Sequence, residues 1–216
     1  MGVTKLFLIG NTTVPSSWVA LISAFIVAYF ALRLRFGKKI SDVLVNSIFT
    51  FILVWKLSVI VTDFGNVIKA PLSIIYFNGG TIGFYLGLLA VGATLLVELK
   101  KNNLHKLDRM ALFIGFVTVQ SVYQVMMTLL NKGPISAQIA TVLIFTAFAF
   151  LVWVSIGKLS TSPIQLMVLF PVVHIFAASF QPAGVLGVPV VTTVLVSLFF
   201  ALYLMRENKI ESGDIL

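Results

Sequence analysis

Lys56 interrupts a helix-length apolar run, and the next apolar run opens on Phe77-Asn78-Gly79-Gly80-Thr81-Ile82-Gly83. A charge at hydrocarbon depth costs about 2.5–3.5 kcal/mol on insertion scales. It therefore needs a counter-charge, a water-filled cavity or a lipid headgroup. Glycine has no Cβ, so an Asn-Gly-Gly turn lets a ligand approach the backbone closely. Gly79, Gly83 and Gly87 also repeat at the four-residue spacing that lets two helices pack tightly. Chemically, one buried cation beside a polar glycine turn suits the phosphate of a lipid headgroup. Helix packing is the competing reading of the glycines.

The remaining polar residues within apolar runs are Asn46, Ser58, Gln120, Ser121, Tyr123, Gln124, Gln165 and His174. Gln120 and Tyr123 could face a headgroup, and helix–helix hydrogen bonding explains them equally well. Asp63 and Glu98 fall near the ends of apolar runs and no carboxylate lies at mid-span. Paired-carboxylate hydrolysis thus has no suitably placed residues, and a proton-coupled transporter lacks its usual acidic group. The two histidines, His105 and His174, lie far apart, and cysteine is absent. No metal site is expected, and thiolate chemistry and disulfides are excluded. His174, three residues after Pro171, is a candidate base, with a helix–helix hydrogen bond as the blander role.

These residues sit in a chain of 216 residues that is 59% hydrophobic and 10% charged. A soluble domain carries about 25% charged residues, so the composition predicts an all-α, polytopic transmembrane helix bundle. Apolar runs long enough for the roughly 30 Å hydrocarbon layer are read at Trp18–Leu32, Leu44–Val61, Thr81–Val97, Met110–Leu130, Ile139–Ile156, Pro163–Phe180 and Val185–Met205. No linker or low-complexity tract divides them, which predicts a single transmembrane domain over 1–216. The first ten residues carry no removable signal-peptide pattern.

The net charge of +8 does not point to nucleic acid, because the cations gather at the ends of the runs. One alternating set of connections holds Arg33, Arg35, Lys38, Lys39, Lys100, Lys101, Lys106, Arg109, Lys158, Arg206 and Lys209. The other holds Lys5, Lys69 and Lys132. The richer set belongs in the cytoplasm, which puts the amino terminus outside and the carboxyl terminus inside, as an odd number of spans requires. LKKNNLHKLDR then reads as a cytoplasmic, solvated topology anchor.

The order of these features resembles the prolipoprotein diacylglyceryl transferase family, seven-span bacterial enzymes with an outside amino terminus. The run from Trp55 to Ile60 is similar to that family's A-R-L-G-Y-V-L-F, with Lys56 in place of arginine. Phe77 to Gly83 is similar to its F-H-G-G-L-I-G, with Asn78 in place of histidine. Trp18 falls where the family has a tyrosine, Pro71 lies in the intervening loop, and Val188-Pro189-Val190 is similar to its S-L-P-M ending. The family's G-R-x-x-N signature is absent, Gln120 and Tyr123 being its loose positional substitutes, and P-T-Q-L-Y-E survives at most as Pro134.

The resemblance implies transfer of a diacylglyceryl group from phosphatidylglycerol to a lipoprotein cysteine, in a bacterial cytoplasmic membrane and without a cofactor. The residues it singles out are Trp18, Lys56, Asn78, Gly79, Gly80, Gly83, Gln120 and Tyr123 for binding, with Asn78 and His174 as candidates for catalysis. Its partners would be phosphatidylglycerol and a lipoprotein or another membrane protein. A neutral asparagine cannot take a proton, and loss of a general base costs about 100- to 10,000-fold. Lysine also lacks arginine's bidentate grip on phosphate. A non-catalytic lipid- or partner-binding subunit on the same scaffold is therefore the alternative. The topology has a direct check: cysteines introduced at Asn102 and Gly184 should react from opposite sides of the membrane, and labelling from one side would overturn the seven-span reading.

Overall fold

The computed structural model describes residues 2–10, 12–72, 74, 77–101, 105–155 and 163–211, without the side chains of Ile9, Thr12 and residues 208–211. Asn102, Lys158 and the expected span end at Ile156 lie outside the described residues. The elements are β1 (Leu6–Ile9), β2 (Thr12–Pro15), α1 (Ser16–Phe36), α2 (Lys38–Leu57), α3 (Val59–Thr62) and α4 (Phe64–Lys69). They continue with α5 (Gly80–Lys101), α6 (Lys106–Leu130), α7 (Ile135–Ser155), α8 (Pro163–Ser179) and α9 (Val188–Glu211).

Among the described residues, six helical segments are long and apolar enough to cross a membrane: α1, α2 with α3, α5, α6, α7 and α9. Large apolar side chains such as Phe30, Phe49, Val61, Leu89 and Phe150 are exposed along them. Water would not tolerate such continuous apolar faces, and lipid would. The chain is thus a helical bundle with the features of a multi-pass membrane protein. Helix α8 is shorter, with 17 residues, or about 25 Å at 1.5 Å per residue.

Two departures from the sequence reading concern local structure. The amino-terminal segment forms an antiparallel hairpin, Leu6 pairing Pro15 and Phe7 pairing Val14, in a chain expected to be wholly helical. The second expected span, Leu44–Val61, begins earlier at Lys38 and breaks at Ser58. Ser58 turns its hydroxyl back onto the carbonyl of Trp55 at 2.7 Å, a local bond that competes with the helical ladder.

The chain divides into two compact units, Met1–Ala31 with Met110–Leu216, and Leu32–Arg109. The first is organised on α6, two thirds of whose apolar window is buried (67%) against 22% for α1. Phe113, Phe145 and Phe170 are completely buried there. Phe170 stacks on Phe148 at 4.9 Å, and Phe113 meets Phe200 edge-on at 5.7 Å. Polar contacts fix the helix directions. Thr118 meets Trp153 while Gln138 reaches the carbonyls of Thr128 and Asn131, so α6 and α7 are antiparallel. Gln120 meets the Pro189 carbonyl while Phe113 meets Phe200, so α6 and α9 are antiparallel too.

Asn131, buried at the end of α6, anchors the hairpin in this unit. Its Oδ1 accepts from the Thr4 and Lys5 backbone N–H groups (2.7 and 3.2 Å) and from the Ser16 hydroxyl (2.8 Å). Its Nδ2 donates to the Met127 carbonyl at 2.9 Å. The start of α1 and the end of α6 therefore share one face of the unit.

The second unit is built on α2 against α5. Gly87 faces Phe51, and Gly79 and Gly83 face Ser58, so the two helices run antiparallel. A Cβ on Gly83 would collide with the Ser58 hydroxyl and come within 3.2 Å of the Trp55 carbonyl. Gly83→Ala should destabilise the protein in detergent by roughly 1–3 kcal/mol through overpacking, more than the helix-propensity gain of at most about 1 kcal/mol. In a Ser58→Ala background the loss should shrink or change sign. An unchanged melting temperature for the single variant would contradict this packing.

Candidate functional site

The residues singled out from sequence divide between the two units, and each group has its own surroundings. Lys56, Asn78, Gly79, Gly80 and Gly83 belong to the second unit, and Trp18, Gln120, Tyr123 and His174 to the first.

In the second unit the Asn-Gly-Gly turn is tied to the last turn of α2. The Gly79 N–H donates to the Trp55 carbonyl at 3.1 Å, and the Trp55 indole donates to the Gly80 carbonyl at 3.0 Å. Trp55 also stacks on Phe51, with centroids 5.8 Å apart. The turn is held at two points on one side chain and its own backbone. Gly80 has φ +58°, a left-handed conformation that disfavours any side chain. The Asn78 Oδ1 accepts the Gly80 N–H at 2.9 Å, which satisfies one donor at the start of α5. Asn78 thus shapes the turn with the same oxygen that could have addressed a ligand. Lys56 is half-buried beside Trp55 in the final turn of α2. Gly79 and Gly83 are occupied by the Ser58 side chain, so they serve helix packing, the competing reading of the stripe.

In the first unit the polar side chains form one buried chain of hydrogen bonds. Gln181, after α8, donates through Nε2 to the Thr141 hydroxyl of α7 at 3.0 Å and to Gln124 Oε1 at 3.5 Å. The Gln124 amide of α6 donates to His174 Nε2 at 3.1 Å. His174 Nδ1 lies 2.7 Å from the Thr193 hydroxyl of α9, which donates in turn to the Pro189 carbonyl at 3.1 Å. Gln120 also donates to that carbonyl, at 3.0 Å. With the amide of Gln124 placed as donor, the ring is the tautomer protonated at Nδ1, which donates to the Thr193 hydroxyl. His174 is 1% exposed and sits edge-on to Phe145 with centroids 4.9 Å apart.

The network can lock four helices in one register. It cannot readily abstract a proton from a substrate, because both ring nitrogens are engaged and neither reaches a surface. Trp18 is exposed on the first turn of α1 and Tyr123 is half-buried on α6.

Sequence reasoning found His174, Gln120 and Gln124 individually but did not join them, and it passed over Thr141, Gln181, Thr193 and Asn131. Threonines in apolar helices give little signal, since their hydroxyls can turn back to the preceding carbonyl, as Thr141 does onto Ala137 at 2.7 Å. Among the described residues no group of three His, Asp or Glu side chains is placed to hold a metal ion.

No protein-family model matches the chain, and no curated protein or solved structure matches it significantly. Its function is therefore argued from this geometry and from the motif resemblance.

Thr193→Val keeps the shape of the side chain but leaves the His174 N–H without an acceptor. It should lower stability by about 1–2 kcal/mol, read as a drop in melting temperature of the detergent-solubilised protein. No change would mean that the imidazole is not held by this network.

Proposed function

We propose that the chain is a phospholipid-binding subunit of a bacterial cytoplasmic membrane, built on a scaffold resembling the prolipoprotein diacylglyceryl transferases and working without turnover. The observation that carries this reading is that the polar groups in the catalytic positions are committed to the protein itself. Asn78, standing where the resembled motif has histidine, is bound to the Gly80 N–H. His174, the other candidate base, has a hydrogen bond at each ring nitrogen. The groups suited to a lipid are the Lys56 ammonium and the neighbouring turn at Asn78–Gly80. On the proposed topology they address the outer leaflet, where phosphatidylglycerol would be the ligand.

The reading includes seven spans with the amino terminus outside. Two features support it. The amino-terminal hairpin is fastened to Asn131 at the α6–α7 connection, and both segments belong to the lysine-poor set of connections. His174 of α8 pairs with Gln124 of α6 while Phe170 meets Phe116, so α8 runs parallel to α6, as the sixth of seven alternating spans must. Its length of about 25 Å is near the lower end for a span, and modest tilting of neighbours or local bilayer thinning accommodates it.

Diacylglyceryl transfer is the second reading, favoured by the order of Lys56, the outer loop and the Phe77–Gly83 motif. In that case Asn78 and Lys56 would hold the glycerol phosphate and another group would assist the thiol. The partner of the non-catalytic form would be a lipoprotein or another membrane protein that receives or shares the lipid.

Native mass spectrometry of the wild type and Lys56→Met in mixed lipids tests the binding. Lys56→Met should lose selective phosphatidylglycerol retention while expressing normally, and equal retention by both would remove Lys56 from any site. Incubation of the purified protein with phosphatidylglycerol and a cysteine-containing lipoprotein peptide tests turnover. Appearance of the thioether-linked diacylglyceryl peptide would replace the binding-only reading with the transferase one.

A further inference from the structure

The end of the second unit opposite the Gly79–Gly80 turn carries a second feature, unrelated to Lys56. Antiparallel packing of α2 on α5 brings the start of α2 beside the end of α5. Phe51 against Gly87 sets that register, and Asn46 donating to Glu98 at 3.4 Å continues it towards this end. Lys39 pairs with Asp108 at 3.8 Å, which adds the first turn of α6 to the same corner. Two connections separated by some sixty residues of chain are therefore assembled into one surface.

That surface is basic and amphiphilic. Lys38, Lys100, Lys101 and Lys106 are exposed on it, while Asp108 is turned to Lys39 and to the His105 N–H at 3.2 Å. Next to Lys106 in the chain stands Leu107, 63% exposed. A solvated topology anchor explains the lysines but not a leucine held out beside them. A lipid surface explains both, since headgroup phosphates meet the cations while Leu107 enters the acyl boundary.

We propose that this corner, formed by the start of α2, the end of α5 and the first turn of α6, is a binding surface for anionic phospholipid headgroups in the leaflet opposite the Gly79–Gly80 turn. Asp108 is a positioning residue in it. Its pairing with Lys39 is too exposed to stabilise the fold much, but it holds the two basic segments together.

The test uses the full-length protein in nanodiscs of phosphatidylcholine with cardiolipin, followed by native mass spectrometry of the released complexes. The combined variant Lys38→Gln, Lys100→Gln, Lys106→Gln should retain cardiolipin about five-fold less per charge removed, on the order of 100-fold in total. The matched variant Lys5→Gln, Lys69→Gln, Lys132→Gln, which removes the same charge elsewhere, should leave this retention unchanged.

Asp108→Asn decides between an assembled surface and a general positive field. It raises the net charge yet keeps an oxygen for the His105 N–H. A field alone predicts tighter cardiolipin retention, and the assembled surface predicts weaker retention with an unchanged melting temperature. Four results would overturn the proposal: undiminished retention in the triple variant, an equal loss in Lys5→Gln with Lys69→Gln and Lys132→Gln, tighter retention in Asp108→Asn, or displacement of cardiolipin by millimolar inorganic phosphate. The last would assign the surface to free phosphate.

Discussion

A helix in hydrocarbon must satisfy its polar side chains within the protein, because no water is available to do so. This constraint shapes the first unit more than any other. Thr118, Thr128 and Thr141 each turn back to a carbonyl one turn earlier, at 2.7–2.8 Å. Longer side chains cannot do that and must cross to other helices. Gln124, His174 and Gln181 do so, meeting one another and the hydroxyls of Thr193 and Thr141, and these contacts fix the register of α6 to α9. Ser121 and Ser197 are the buried hydroxyls without a hydrogen-bond partner among the described residues.

The second unit solves the same problem differently. It is held by close backbone approach, with Ser58 filling the space above Gly79 and Gly83 and Phe51 resting on Gly87. Close approach of small residues provides dispersion contact without polar atoms, which suits an interface that lipid cannot drive together by hydrophobicity. Its polar groups gather at the two ends instead. At one end Trp55 ties the glycine turn to α2 from both its indole and its carbonyl. At the other end the cations of two connections are placed side by side.

This distribution bears on function. In the interior, polar groups are spent on each other, and a base whose two nitrogens are both bonded offers nothing to a substrate. At the ends of the second unit, lysines lie close in sequence to turns and to exposed apolar side chains. The engaged imidazole and the cationic margins are the observations on which the lipid-binding proposal rests.

Composition and periodicity by themselves determined the helical membrane class, the positions of most long helices to within a few residues, and the tendency of Gly79, Gly83 and Gly87 to pack against a helix. These are properties of local segments and of simple spacing. The residues His174, Gln124 and Gln120 were visible as polar groups in apolar runs, because such groups are conspicuous there. Only the tertiary structure decided their role, since the partners Thr193, Thr141 and Gln181 lie on other helices at distances in sequence that no pattern encodes. The amino-terminal hairpin was hidden for a related reason: its two four-residue strands give almost no periodic signal, and its attachment depends on Asn131, more than a hundred residues away. The two basic connections were legible singly as topology signals. Their merger into one surface follows from the antiparallel register of α2 and α5, which the close fit of Phe51 and Ser58 against glycines sets.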